Sequence, residues 1–90
     1  EVINVGGLKF MASEVERVAL QFKGVELAKA EGKSNPITGQ HVELTVQSTP
    51  NNDIDKTQLK TFLTSHLPNH MFPKRVKISS VAVGHRFKRV

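Results

Sequence analysis

The sequence predicts an α+β fold, a small sandwich of one three-stranded sheet with two helices plus an N-terminal β-hairpin. Three observations carry it. A Gly6-Gly7 pair separates two short apolar stretches at the start of the chain. Gln40 to Gln47 alternates strictly, with Val42, Leu44 and Val46 set for one face and His41, Glu43 and Thr45 for the other. Two segments, around Val15–Phe22 and Leu59–Leu67, repeat apolar residues at helical spacing.

In chain order, β-branched Val2–Val5 reads as a strand and Leu8–Met11 as its hairpin partner. A helix is expected from Ser13 to about Phe22. Ser13 serves as its N-cap, Glu14 and Glu16 sit at the positive end of the dipole, and Gly24 ends it. Val15, Val18, Ala19 and Phe22 form its buried face. Val25–Glu31 follows as a strand with Val25 and Leu27 on one side, and Ser34–Gly39 is a loop of turn formers. After a polar connector from Ser48 to Asp53, a second helix runs from about Asp55 to Leu67. Asp53 or Asp55 caps it, and Leu59, Phe62, Leu63 and Leu67 face inward. Pro68 stops that helix. Pro73 leads into a strand over Arg75–Ser79, with Val76 and Ile78 inward and Val81–Val83 as an extension before Gly84. Strand, helix, strand, strand, helix, strand is an α+β order within one domain, residues 1–90, without repeats or a linker.

Ninety residues support one modest core. The absence of cysteine excludes a disulfide framework and a thiolate metal site. No apolar run approaches the ~18 residues of a membrane span, and no signal peptide opens the sequence, so a cytoplasmic protein is expected. The net charge of +5 is unevenly spread. Residues 1–55 hold eight acids against five Lys/Arg, net −3, and residues 56–90 hold eight Lys/Arg and no acid, net +8. Such a tail attracts phosphate, whether in nucleic acid, a nucleotide or CoA, although a solvated basic face explains charge alone. Trp and Tyr are absent, and most of the five Phe sit where a core needs them, which argues against a base-stacking surface.

The opening segment Val2-Ile-Asn-Val-Gly-Gly-Leu-Lys-Phe-Met-Ala-Ser-Glu-Val-Glu16 resembles a core motif of the adenylate-forming (AMP-binding) enzymes, which include acyl-CoA synthetases and acid–CoA ligases. Pro36-Ile-Thr-Gly-Gln40 before an alternating strand is similar to a second part of that family. Leu67-Pro-Asn-His-Met-Phe-Pro73 leading into Arg75-Val-Lys-Ile78 is similar to a third. The resemblance covers the whole chain and is confined to the family's small C-terminal lid domain. It implies an ATP-dependent ligase that joins a carboxylic acid to AMP, with Mg2+, and then to a thiol. That thiol is CoA or carrier-protein phosphopantetheine. The acid pocket and most of the ATP site lie in a large N-terminal domain outside this sequence, so fatty-acid metabolism is one setting among several. The resemblance also places the hinge of lid rotation just before Glu1, and an isolated lid is expected to be inactive.

The resemblance implies roles for particular residues. Gly6 and Gly7 match a glycine loop whose backbone lines the pantetheine path, although a plain hairpin turn also requires glycine. Lys9 falls where the family places a cation near nucleotide or CoA phosphates, and a solvated strand-edge lysine is the competing reading. Gly84-His-Arg-Phe-Lys-Arg89 aligns with a terminal motif whose lysine bridges acid and ATP during adenylation. His85 holds that lysine position, and Lys88 or Arg86 is a possible substitute. Arg75, with Lys74 and Lys77, forms a second basic patch suited to the CoA 3′-phosphate. Glu14 and Glu16 are two apart on a helix and do not form a paired-carboxylate catalyst. His66 and His70 have Pro68 between them, so a metal pair is not expected. The expected partners are the protein's own N-terminal domain, a carboxylic acid, ATP and the thiol. The rival classes are a basic nucleic-acid-binding module and a degenerate lid that docks a carrier protein.

Overall fold

A computed structural model describes residues 1–80 of the chain. The expected extension over Val81–Val83 and the terminal motif containing His85 and Lys88 lie outside the described residues. The elements are β1 (Val2–Val5), β2 (Leu8–Met11), α1 (Ala12–Ala19), β3 (Val25–Asn35), β4 (Gly39–Ser48), α2 (Lys56–His66), a 3-10 turn (Asn69–Met71) and β5 (Pro73–Ser80). The first two strands form a separate antiparallel hairpin, and the others form one sheet in the order β3-β4-β5. β3 and β4 pair antiparallel. α2 then carries the chain back so that β5 lies parallel to β4. The α+β sandwich with its added hairpin is therefore the observed fold.

One sheet face is apolar because β4 alternates. Val42, Leu44 and Val46 are fully buried there, with Ala30 on one side and Val76 on the other. Val15 and Ala19 of α1 and Leu59 and Leu63 of α2 close over that face. The hairpin adds Ile3 and Phe10 to the same core. The opposite face, from Lys29 through Thr45 to Lys77, is polar and has no layer over it among the described residues. No helix of the described residues is long and apolar enough to cross a membrane.

Local differences from the expected elements have identifiable causes. Ser13 does not cap α1. The helix starts one residue earlier, after Met11, whose N–H donates to Glu14 Oε2 at 3.1 Å. Glu14 thus reaches back to the helix start, as a capping-box acid does. The helix also ends early, at Ala19. Beyond it the chain tightens, with Gln21 N–H to Val18 O at 3.0 Å and Phe22 N–H to Ala19 O at 3.1 Å. Phe22 joins the core from this turn, and Gly24, at φ +96°, heads β3 rather than ending a helix.

Val25 and Leu27 do not share a face as expected. A register shift lies between them, and Leu27 turns outward at 59% exposure while Ala28 and Ala30 face in. β3 also runs on to Asn35, which shortens the expected loop to residues 36–38. β3 is an edge strand. Two of its outward N–H groups are covered by carboxylates: Ala30 donates to Glu16 Oε2 at 2.8 Å and Gly32 donates to Glu1 Oε2 at 3.0 Å. Capping those donors blunts an edge otherwise open to pairing. The second helix agrees with its pattern except at Phe62, which is half-buried at the margin, edge-on against Phe22 at 5.4 Å between ring centroids. Asp55 Oδ1 accepts from Gln58 N–H at 3.1 Å, and Leu59, Leu63 and Leu67 are buried.

Candidate functional site

Val5 and Leu8 are the last pair of the β1–β2 hairpin, so Gly6 and Gly7 are its two turn residues. Their φ values, +59° and +87°, carry the signature of a type I′ turn. L-residues resist that region, so backbone stereochemistry alone accounts for both glycines. Space does not: among the described residues, a Cβ at either position would meet nothing within 4 Å. The turn therefore presents bare backbone outward.

Both turn amides are already engaged. Gly7 N–H donates to Asn4 Oδ1 at 3.0 Å, and Gly6 N–H donates to Thr38 O at 2.8 Å. This glycine turn is consequently a smooth wall and not an anion-binding nest, which would need free N–H groups. Leu8, half exposed, flanks it, and Ile37 projects from the neighbouring β3–β4 turn at 89% exposure.

The hairpin is held on the sheet through Gln40. Its Oε1 accepts from Asn4 N–H at 2.7 Å. The Gln40 side chain and Ile3 both lie over Gly32, where an added Cβ would stand 2.8 Å from Gln40 Nε2 and 3.1 Å from Ile3 Cγ2. Here the demand on glycine is close approach, with no unusual φ.

The β3–β4 turn is built differently. Asn35 Oδ1 accepts from Ile37 N–H at 2.9 Å and Thr38 N–H at 3.2 Å. Asn35 Nδ2 faces His41 Nδ1 at 3.1 Å, and His41 Nε2 meets Glu43 Oε2 at 2.9 Å. The bond from His41 is the main cause holding the Glu43 carboxyl below its usual range. Desolvation opposes it, and the charges of Arg75 and Lys33, with that of His41 when its ring is protonated, add to it.

The structure separates the expected site residues. Lys9 pairs with Asn4 on the outward side of the hairpin, near the glycines, and forms no ion pair among the described residues. Arg75 lies on the uncovered sheet face, in register with Glu43, whereas the hairpin packs on the helix-bearing face. Gly6, Gly7 and Lys9 therefore form one cluster and Arg75 belongs to another. Lys77 shares the face of Arg75, and Lys74 is exposed at a register shift of β5, between the partners of Val42 and Glu43. His85, Lys88 and Arg86 lie outside the described residues. His66 stacks on Phe62 at 4.2 Å between ring centroids, while His70 packs edge-on against Phe10 at 5.3 Å. Glu16, like Glu1, caps the edge of β3.

Sequence reasoning missed Asn35, Gln40, His41 and Glu43. An Asn immediately before Pro36, with Gly39 following, signals a side-chain-capped turn. No local pattern links Gln40 to Asn4, which is far away in sequence.

A two-layer α+β domain that presents a bare glycine turn at one end is thus defined. Comparison with known proteins gives its kinship. The chain is 34% identical over 77 residues to the 3,4-dihydroxybenzoate–aryl-carrier protein ligase of Bacillus anthracis, which covers 86% of the chain and 18% of the relative. Among solved structures, the amide bond synthetase McbA of Marinactinospora thermotolerans matches with a TM-score of 0.80 and 26% identity, over 87% of the chain and 16% of the synthetase. The o-succinylbenzoate CoA synthetase MenE of Bacillus subtilis, in complex with a product analogue, matches in fold with a TM-score of 0.78 at 21% identity, over 86% of the chain and 16% of that structure. No family model matches the chain. By sequence and by fold the chain is a relative of the adenylate-forming ligases, and it spans less than a fifth of their length.

Proposed function

We propose that the chain is the mobile C-terminal lid domain of an ATP-dependent, AMP-forming acid–CoA ligase. In this reading a large N-terminal domain holds the acid and ATP with Mg2+. The lid completes the site first for adenylation and then for attack of the thiol. Gly6 and Gly7 supply the wall along which the pantetheine arm passes. One observation carries the reading: kinship to one of these ligases over 86% of the chain. The glycine turn, with bare backbone facing out, is consistent with it. The chemistry is coherent. A long, thin thiol arm needs a passage without side chains, and a closing lid excludes water from a reactive adenylate.

The separation of Arg75 from the glycine turn supports two working faces. Lys9 beside the turn is the nearer cation for a phosphate on the thiol carrier, and Arg75 serves the other face. A second reading, in which the thiol sits on a carrier protein, is supported by the named activity of the Bacillus anthracis relative. A nucleic-acid module gains less support. Lys29 and Lys33 both pair with Glu31, and Arg75 faces Glu43, which leaves no continuous basic stripe on the uncovered face among the described residues.

The test joins the chain to its N-terminal domain and supplies a preformed acyl-adenylate with CoA or with a phosphopantetheinylated carrier. Release of AMP and formation of a thioester is the expected result, and the preferred thiol separates the two readings. A folded enzyme that forms neither thioester contradicts the proposal.

A further inference from the structure

The β3–β4 turn touches the glycine turn at one bond, Gly6 N–H to Thr38 O. Thr38 is held there by its hydroxyl, which donates to Gln40 O at 2.6 Å, and at its amide by a relay of side chains. Backbone N–H groups only donate. The Asn35 atom that faces the amides of Ile37 and Thr38 must therefore be its oxygen, and the atom facing His41 must be its NH2 group. An NH2 group also only donates, so His41 Nδ1 has to accept. That leaves the ring proton on Nε2, where it is donated to the Glu43 carboxylate. The network is satisfied throughout only when the imidazole is neutral and carries its proton on Nε2.

Adding a proton at Nδ1 sets two donors against each other, 3.1 Å apart. Turning the Asn35 amide over relieves this by giving Oδ1 to the Nδ1–H. The same rotation takes that oxygen away from the Ile37 and Thr38 amides. We propose that Asn35 and His41 form a proton-sensitive latch, in which neutral His41 holds Asn35 in the orientation that locks the β3–β4 turn against the glycine turn, and protonation releases it.

The latch is open to solvent, since the His41 side chain is 21% exposed. The charged groups around it come from all three strands. Glu43 on β4 favours the protonated ring, as does Glu31 on β3. Lys33, the cross-strand partner of His41, and Arg75 on β5, opposite Glu43, oppose it. The helices and the hairpin pack on the other face of the sheet. The residue sequence of the relay makes Asn35 a positioning residue for the Gly6-Gly7 turn, acting through Thr38. The latch is a property of the fold and is read without any acyl transfer, so its failure and the failure of the ligase reading are separate outcomes.

The experiment is NMR on the protein selectively labelled with 15N at His, Gly, Ile and Thr, with His41 assigned by comparison with His41→Gln. At neutral pH the ring is expected as the Nε2–H tautomer. As His41 titrates to its charged form, exchange protection of the Ile37, Thr38 and Gly6 amides should fall by about fivefold, corrected for intrinsic exchange, which is the scale of one net hydrogen bond. Asn35→Asp provides the control. Its carboxylate accepts from both turn amides whatever the charge on His41, so protection should no longer change as His41 becomes charged. An Nδ1–H tautomer at neutral pH, or wild-type protection of these amides that is unchanged across the His41 titration, overturns the proposal.

Discussion

Two turns meet at one end of the molecule, and they are held by different means. The Gly6-Gly7 turn is fixed by stereochemistry: two positive φ angles, a short loop and no titratable group of its own. The 35–39 turn is fixed by side chains, through Asn35 to His41 and on to Glu43. The first resists any change of solution conditions that leaves the fold intact. The second depends on the protonation of one ring. Because Thr38 O accepts from Gly6 N–H, the conditional turn supports the unconditional one. A surface that must stay bare is thus built from backbone, and its placement is left to groups that respond to the surroundings.

Removing what both turns share should have the largest effect. Ile3 is fully buried and seats the hairpin on the sheet over Gly32. Ile3→Ala is expected to cost about 2–5 kcal/mol, read as a lowered midpoint in urea unfolding, and to loosen both turns together. The next effect isolates the contact between them. Gly32→Ala places a methyl 2.8 Å from Gln40 Nε2, on a side chain whose Oε1 already holds Asn4 N–H. Displacing Gln40 is expected to destabilise by about 1–3 kcal/mol and to unseat the hairpin while leaving the three-stranded sheet intact. Amide exchange at Asn4 against that at Leu44 distinguishes the two regions.

The smallest effect belongs to the conditional turn alone. The Glu43 carboxyl is held below its usual range, chiefly by the bond from His41. A depressed folded value contributes stability that is present above the ordinary carboxylate range and is lost as pH falls through the folded value. Stability should therefore decline on the acid side in wild type. Glu43→Gln should flatten that part of the profile, measured by urea midpoints across the acid range.

The same contrast explains what was legible in the sequence. The hairpin, β4 and the stripe of α2 announce themselves because glycine φ preferences, strict alternation and helical spacing are local signals. Leu27 was misplaced because a register shift after Val25 reverses the alternation, and nothing in Val25-Glu-Leu27 records it. Ser13 was a good cap by type, yet Glu14 reaching back to Met11 N–H starts the helix earlier. The glycine turn was visible as a candidate, since its residues are adjacent. Its supports were not, because Gln40 and Thr38 lie more than thirty residues away from Asn4 and Gly6. Gly32 falls just past the expected strand Val25–Glu31, and nothing in its sequence neighbours records that Ile3 and Gln40 lie over it.

The central claim is that the glycine turn is kept bare for a passing thiol arm and not only for its φ angles. Gly6→Asn separates these demands. Asn-Gly is a favoured type I′ pair, so the turn persists and the change in stability should stay within about 0.5 kcal/mol. The new side chain nevertheless projects from the open surface, where a Cβ meets nothing among the described residues. In the enzyme rejoined to its N-terminal domain, thioester formation from supplied acyl-adenylate should slow by about tenfold or more, a barrier increase of ~1.4 kcal/mol. A folded Gly6→Asn enzyme that forms thioester at the wild-type rate would contradict the account and leave the glycines as turn residues alone.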